Sequence, residues 1–236
     1  SPYIPPIQGI ETFKGPIYHT ARWPENQVDF STQTVGVIGN GSSGVQIIPE
    51  LAKRAQKLVV FQRTAQYAVP SRNQPLDQQQ VAEIKADYPG FRARNRQQSS
   101  AQLSNLETCQ QSALDVSPDR RQQLYEAGWQ QGGFAFYDTF TDLMNNRESN
   151  QTAAEFIRAK ISQLVQDPER AKLLSPHHIM GCKRPVLEEG YFEAFNRSNV
   201  ELVDISINPI QAISSNGICL PDREYQLQAI VMATGF

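Results

Sequence analysis

A glycine-rich loop that separates an apolar segment from an amphipathic one constrains the fold of this chain more than any other feature. The loop lies in VGVIGNGSSGVQ, which runs from Val35 to Gln46. The β-branched residues before it predict a buried strand over 34–38, and the apolar spacing after it predicts a helix over 43–55. The segment KLVVFQRT predicts a second buried strand over 57–64. This βαβ unit predicts an α/β fold with a Rossmann-like parallel sheet.

The spacing of Gly39, Gly41 and Gly44 is GxGxxG, and it has two interpretations. Such glycines can simply turn the chain, with no ligand. Between a strand and a helix, however, the first glycine permits the turn, the second lets a pyrophosphate approach the backbone, and the third lets the helix pack closely on the strand. The N-terminus of the helix attracts the anion as well. We therefore predict a dinucleotide site of the FAD/NAD(P)-binding type formed by Gly39, Gly41, Ser42, Ser43, Gly44 and Gln46.

The residues at the end of the second predicted strand indicate which dinucleotide binds. An acidic residue there would accept hydrogen bonds from the ribose hydroxyls of NAD and would repel a 2′-phosphate. The sequence instead has Arg63 and Thr64. A guanidinium is always charged and can bind a phosphate in a bidentate fork, which favours NADP. The alternative is that Arg63 is an ordinary solvated charge at a strand end.

The remaining chain divides into a helical part and a returning sheet. Long polar segments rich in Gln and Arg predict a helical insertion over about 73–175, within an NADP-binding domain that covers 1–236. In it, Thr152 and Glu155 fit a capping box, which predicts a helix that starts at Thr152 and stops at Pro168. After the insertion, short alternating segments predict a β-meander and a final buried strand that together complete the sheet.

Composition excludes several classes of function. The chain has 39% hydrophobic and 19% charged residues and a net charge of -2, which is typical of a globular protein without strong attraction for nucleic acid. Cys109, Cys182 and Cys219 are odd in number and too widely spaced for a zinc or disulfide framework, so we expect no metal site. We also expect no membrane span, no signal peptide and a cytoplasmic location.

A second motif precedes the glycine loop. The segment FKGPIYHTARWPE contains Phe13, Gly15, His19, Trp23 and Pro24 at the spacing FxGxxxHxxxWP. This pattern, closely followed by GxGxxG, resembles the fingerprint of the Baeyer–Villiger monooxygenases, a branch of the class B flavoprotein monooxygenases. Later segments, including GCKRP and the closing VMATGF, are similar to successive parts of that family in the same order.

The resemblance implies an enzyme that uses FAD and NADPH to convert ketones to esters or lactones with O2. It implies that Lys183 helps to hold the 2′-phosphate and that Arg184 is catalytic. It also implies that the FxGxxxHxxxWP residues and Ala233, Thr234 and Gly235 couple this domain to an FAD domain largely absent from this chain. Two alternatives are a flavin monooxygenase that oxygenates nitrogen or sulfur, and a non-catalytic NADP-binding module.

Overall fold

The computed structural model describes residues 1–97 and 110–235, and the chain forms two compact units. The first unit comprises Ser1–Ala68, Arg158–His178 and Arg184–Phe236, and the second comprises Val69–Ile157 and Ile179–Lys183. The second unit thus occupies much of the predicted insertion, but the part of that prediction beyond Ile157 belongs to the first unit. Cys109 and the end of the polar segment 91–103 lie outside the described residues.

The helices and strands are numbered in chain order. The strands are β1 Ile17–His19, β2 Thr34–Ile38, β3 Lys57–Gln62, β4 Ala68–Pro70, β5 Val186–Glu188, β6 Val200–Asp204, β7 Ala212–Ile213, β8 Gly217–Cys219, β9 Glu224–Gln226 and β10 Ala229–Met232. The α-helices are α1 Ser42–Arg54, α2 Gln78–Ala86, α3 Tyr88–Gln97, α4 Pro118–Gln131, α5 Arg147–Leu164, α6 Pro168–Leu174 and α7 Tyr191–Ala194. Short 3₁₀ helices cover Ile10–Thr12, Thr20–Arg22 and Gly133–Asp138.

Five parallel strands form the sheet of the first unit in the order β1-β10-β2-β3-β6. The register pairs Ile38 of β2 with Phe61 of β3 and with Met232 of β10. The strands β7, β8 and β9 form an antiparallel meander. The predicted α/β fold, parallel sheet and meander are confirmed.

Both faces of the sheet are covered, which explains why its strands are apolar without alternation. On one face, Val59 and Phe61 pack in a buried cluster with residues of the meander such as Ile218 and Tyr225. Leu58 and Val60 alternate with them along β3 and are also fully buried. Helix α1 buries a stripe formed by Val45, Ile48, Leu51 and Ala52. Each fully buried aliphatic side chain contributes about 1.5–3 kcal/mol through removal of apolar area from water.

The second unit has its own aromatic core. The ring of Tyr125 lies 5.4 Å from Phe136, 5.3 Å from Phe140 and 5.4 Å from Phe156, measured between ring centroids. Trp129 joins the cluster through an edge-to-face contact with Phe136 at 6.2 Å. Burial and aromatic geometry of this kind stabilise a helical unit whose surface is polar.

The predicted start of helix α5 is wrong. The helix begins at Arg147, not at Thr152. The Asn146 side chain accepts hydrogen bonds from the N–H groups of Glu148 and Ser149, so it caps the helix in the place assigned to Thr152. The Thr152 hydroxyl instead donates to the Ser149 carbonyl inside the helix, where it also contacts the Tyr125 hydroxyl. The helix ends at Leu164, short of the stop predicted at Pro168.

Candidate dinucleotide-binding site

The carboxyl ends of the five parallel strands meet at one edge of the sheet, which we call the carboxyl edge. The chain continues from β2 through α1 to β3 on one side, whereas β10 lies on the other side of β2. The strand order therefore reverses at β2, and open α/β sheets bind ligands in the crevice outside such a switch point. The segments that leave the strands at this edge are Gly39–Gly44 after β2, Arg63 and Thr64 after β3, and Ala233–Gly235 after β10.

Two glycines of the loop allow close backbone packing. Gly39 has a φ of +99°, and a Cβ built on it would lie 2.6 Å from the Ala233 carbonyl oxygen. A Cβ on Gly44 would lie 2.4 Å from the carbonyl oxygen of Gly39. A side chain at either position would push the helix or β10 away from the loop.

The middle glycine of the loop faces open space. Gly41 precedes α1, and a Cβ on it would meet nothing within 4 Å. No side chain caps the N-terminus of α1, so the N–H groups of its first turn are available to an anion. Ser42 and Ser43 begin the helix and are half-buried, while Gln46 is exposed one turn later. An open glycine beside an uncapped helix start fits a pyrophosphate group.

A buried pair of amides connects the loop to the end of β3, and the sequence analysis missed it. The Asn40 side chain donates from Nδ2 to Gln62 Oε1 at 2.8 Å and to the Thr64 carbonyl at 3.0 Å. Gln62 Nε2 in turn donates to the Leu173 carbonyl at 2.7 Å. Asn40 and Gln62 are 5% and 3% exposed. A polar residue between two loop glycines and another in an apolar strand were the available signals.

Arg63 is exposed at the carboxyl edge, one residue after β3. Within residues 1–97 and 110–235, its guanidinium has neither an ion-pair partner nor a hydrogen-bond partner. Its neighbour Thr64 is half-buried, with its carbonyl bound by Asn40. A permanent charge on a fixed backbone can bind a phosphate in a bidentate manner.

His19 connects the N-terminal segment to the carboxyl edge. It ends β1, pairs with Met232 of β10 and is 7% exposed. Its Nδ1 accepts a hydrogen bond from the Ala21 N–H at 3.1 Å, so its Nε2–H donates to the Tyr3 carbonyl at 3.3 Å. The Thr234 hydroxyl donates to the same carbonyl, and the Tyr3 N–H donates to Gly235 at 2.9 Å. His19, Thr234 and Gly235 thus form one hydrogen-bonded group with Tyr3. Ala233, the residue before Thr234, instead donates its N–H to the Ile38 carbonyl at 2.9 Å.

The other residues of the upstream motif lie in packing contacts away from the glycine loop. Phe13 packs against the buried cluster under the meander, and a Cβ on Gly15 would lie 2.4 Å from the Gln228 carbonyl oxygen. The rings of Trp23 and Phe30 pack together, with their centroids 6.3 Å apart. The Phe30 carbonyl accepts from the N–H of the residue before β3, at the opposite end of the sheet. Pro24 follows Trp23 and is half-buried.

Lys183 and Arg184 lie where the chain passes from the second unit to the first. Lys183 is the last residue of the second unit, and Arg184 begins the returning segment of the first. Both side chains are exposed. The segment before them is fixed inside the second unit, because Asn150 donates to the Met180 carbonyl and accepts from the Met180 N–H.

The chain is similar in sequence and in structure to flavin-dependent monooxygenases. The family described as "FMO-like: Flavin-binding monooxygenase-like" matches residues 1–76. A "Baeyer-Villiger monooxygenase" of Pseudooceanicola batsensis is 42% identical over 236 residues, covering 99% of this chain and 43% of that protein. A phenazine N-monooxygenase of Lysobacter antibioticus is 41% identical over 236 residues, with 99% and 43% coverage. The solved structure of an oxidised steroid monooxygenase bound to NADP superposes with a TM-score of 0.94 at 44% identity, covering all of this chain and 45% of that one.

This chain is similar to one part of proteins named Baeyer–Villiger monooxygenase and, over its first 76 residues, to the flavin-binding monooxygenases. The resemblance stated from FxGxxxHxxxWP and GxGxxG is thereby confirmed. The chain spans about 43% of the length of the curated relatives it matches. In the parts of the chain that the structure describes, no helix is long and apolar enough to cross a membrane, and no group of acidic, His and Cys side chains could hold a metal ion.

Proposed function

We propose that this chain is the NADP(H)-binding part of an FAD-dependent Baeyer–Villiger monooxygenase that acts on ketones in the cytoplasm. The observation that carries the proposal is the glycine loop at the switch point of the sheet, with Arg63 exposed after the neighbouring strand. The relatives named above support it, since one carries the name of this reaction and one was solved with NADP.

The residues of the carboxyl edge suit this cofactor. The open space at Gly41 admits the pyrophosphate to the start of α1, where Ser42 and Ser43 add hydroxyl donors. Arg63 and Thr64 bind the 2′-phosphate that distinguishes NADPH from NADH. The family resemblance assigns Lys183 a role in holding NADPH as well. The loop fits a dinucleotide because a side chain at Gly41 would fill the space for the pyrophosphate, and one at Gly39 or Gly44 would push apart the segments that pack there.

The reaction balances as ketone plus O2, NADPH and a proton giving an ester or lactone, water and NADP+. When bound, NADPH and FAD supply the electrons and activate the oxygen. Arg184 contributes a permanent positive charge, which stabilises negative charge at the reacting oxygen at any working pH. The bonded group around His19, with Thr234 and Gly235, couples this unit to the FAD domain of the same enzyme, and Trp23 supports it through packing.

The intact enzyme tests the proposal with two measurements. Rapid-mixing spectroscopy of flavin reduction by NADPH and by NADH should show a clear preference for NADPH. Mass spectrometry of products from a panel of cyclic and linear ketones should show esters or lactones that carry one atom of ¹⁸O2. Equal reduction by both dinucleotides would contradict the cofactor assignment. Formation of N-oxides from heteroaromatic amines, with no ester from any ketone, would favour the nitrogen-oxygenating alternative.

A further inference from the structure

We propose that Asn40 is a positioning residue that sets the preference for the 2′-phosphate by fixing the backbone that carries Arg63. The proposal rests on the assignment of NADP(H) to the carboxyl edge. Asn40 occupies the variable position between the first two glycines of GxGxxG, where the glycine pattern itself prescribes no side chain.

The hydrogen bonds fix the orientation of both buried amides. The Leu173 carbonyl can only accept, so Gln62 must present its Nε2 there and turn its Oε1 toward Asn40. Asn40 must then present Nδ2, and the two hydrogens of that group satisfy Gln62 Oε1 and the Thr64 carbonyl. Neither hydrogen remains for a ligand. Asn40 therefore acts through Thr64 and does not bind the cofactor with Nδ2.

These bonds hold Arg63 from both sides. On one side, the Gln62 side chain is bonded at both of its polar atoms, and the Gln62 carbonyl accepts from the Ile205 N–H at 2.9 Å. On the other side, the Thr64 carbonyl is bonded to Asn40. The backbone of Arg63 is thus fixed before any ligand arrives, while its side chain is exposed. A phosphate that binds there need not order the loop, and this preorganisation increases affinity.

NADH gains less from the same arrangement because it lacks the phosphate that Arg63 contacts. Loss of the Asn40 side chain should therefore weaken NADP+ binding more than NAD+ binding. A residue that only stabilised the unit would weaken both dinucleotides equally. The ratio of the two dissociation constants is thus the quantity that distinguishes a positioning role from a structural one.

The experiment is calorimetric titration of the purified enzyme with NADP+ and NAD+, which bind without reducing the flavin. Asn40→Ala should lower the NADP+ preference about tenfold, because two hydrogen bonds of the loop are lost. Asn40→Ser retains one donor, so its NADP+ preference should lie between those of Asn40→Ala and the wild type. The matched control is Asn199→Ala, since Asn199 Nδ2 also donates to two carbonyls of the first unit, those of Ala52 and Ala55, beside the end of α1.

The outcomes separate this inference from the proposed function. If the wild type shows no preference for NADP+, the cofactor assignment itself fails. If the wild type prefers NADP+ and Arg63→Ala removes that preference, but folded Asn40→Ala and Asn40→Ser keep it, only the role of Asn40 is overturned. Circular dichroism establishes that each variant is folded. If Asn40→Ala does not fold, Asn40→Ser and Gln62→Ala decide by the same ratio.

Discussion

Gly39 and Ala233 approach each other so closely that a Cβ on Gly39 would lie 2.6 Å from the Ala233 carbonyl oxygen. This contact brings the loop after β2 against the segment after β10. The two segments belong to different motifs of the sequence, and their contact makes them parts of one edge. Its consequences can be tested by substitutions in the loop.

Gly39→Ala should affect mainly stability, whereas Gly41→Ala should affect mainly cofactor binding. At Gly39 the φ of +99° and the clash with Ala233 should lower the free energy of unfolding by about 2–4 kcal/mol. At Gly41 the φ of -70° suits any residue and nothing lies within 4 Å, so stability should change by less than about 0.5 kcal/mol. The methyl group at Gly41 would instead occupy the space proposed for the pyrophosphate, and NADP+ affinity should fall at least about tenfold. Chemical denaturation and titration measure the two effects. Unchanged NADP+ affinity in folded Gly41→Ala would place the cofactor elsewhere.

His19→Ala should release the N-terminal segment from the carboxyl edge. The Tyr3 carbonyl would lose one of its two side-chain donors, and the Ala21 N–H would lose its acceptor. The Tyr3 N–H is hydrogen-bonded to the Gly235 carbonyl, and this bond should open more often once the segment is released. Hydrogen exchange of the Tyr3 amide should therefore accelerate roughly tenfold or more. The control is His177→Ala, an exposed histidine of the same unit. Exchange at Tyr3 that matches the control would show that His19 does not hold this segment.

Asp142 should make the stability of the second unit depend on pH. Burial pushes the pKa of this carboxyl upward, but hydrogen bonds from the hydroxyls of Ser149 and Ser112 and from the Ala113 N–H outweigh it, so the pKa lies below its usual value. A depressed pKa in the folded state contributes stability above the unfolded pKa of about 3.9, and that stability is lost as the pH falls through the folded pKa.

The variant Asp142→Asn tests this dependence. At pH 7 it should lower the free energy of unfolding by about 1 kcal/mol, since the carboxylate keeps some contact with solvent. The difference from the wild type should shrink as the pH falls below about 4. Thermal melts across that range measure it, with the exposed Asp115→Asn as control. A difference that stays constant with pH would mean that the effect is one of packing, not of charge.

Lys183→Ala and Arg184→Ala should separate binding from chemistry in the intact enzyme. Arg184→Ala should leave reduction of the flavin by NADPH intact but abolish ester formation from a ketone. Lys183→Ala should raise the KM for NADPH roughly tenfold or more and leave the product unchanged. Stopped-flow reduction and product analysis measure the two effects. Near-normal ester formation by Arg184→Ala would overturn its catalytic role.

The local elements of the first unit were predictable because their signals are local. The β-branched run before Gly39 and the apolar spacing after Gly44 specify a strand and a helix, and the structure places them at Thr34–Ile38 and Ser42–Arg54. The start of α5 was predicted wrongly because Thr152 and Glu155 mimic a capping box. Asn146, six positions earlier, has the same capping ability, and a local pattern does not choose between two competent caps.

The sequence by itself determined the fold class, the glycine loop and the presence of a cation after β3, since each depends on neighbouring residues and on backbone chemistry. Only the tertiary structure decided that Asn40 reaches Thr64, that Gly39 meets Ala233 and that His19 shares Tyr3 with Thr234. The residues of each pair are separated in the sequence. The register of the parallel sheet brings them together at one edge. Hydrogen bonds between such partners depend on positions in space, which no local periodicity encodes.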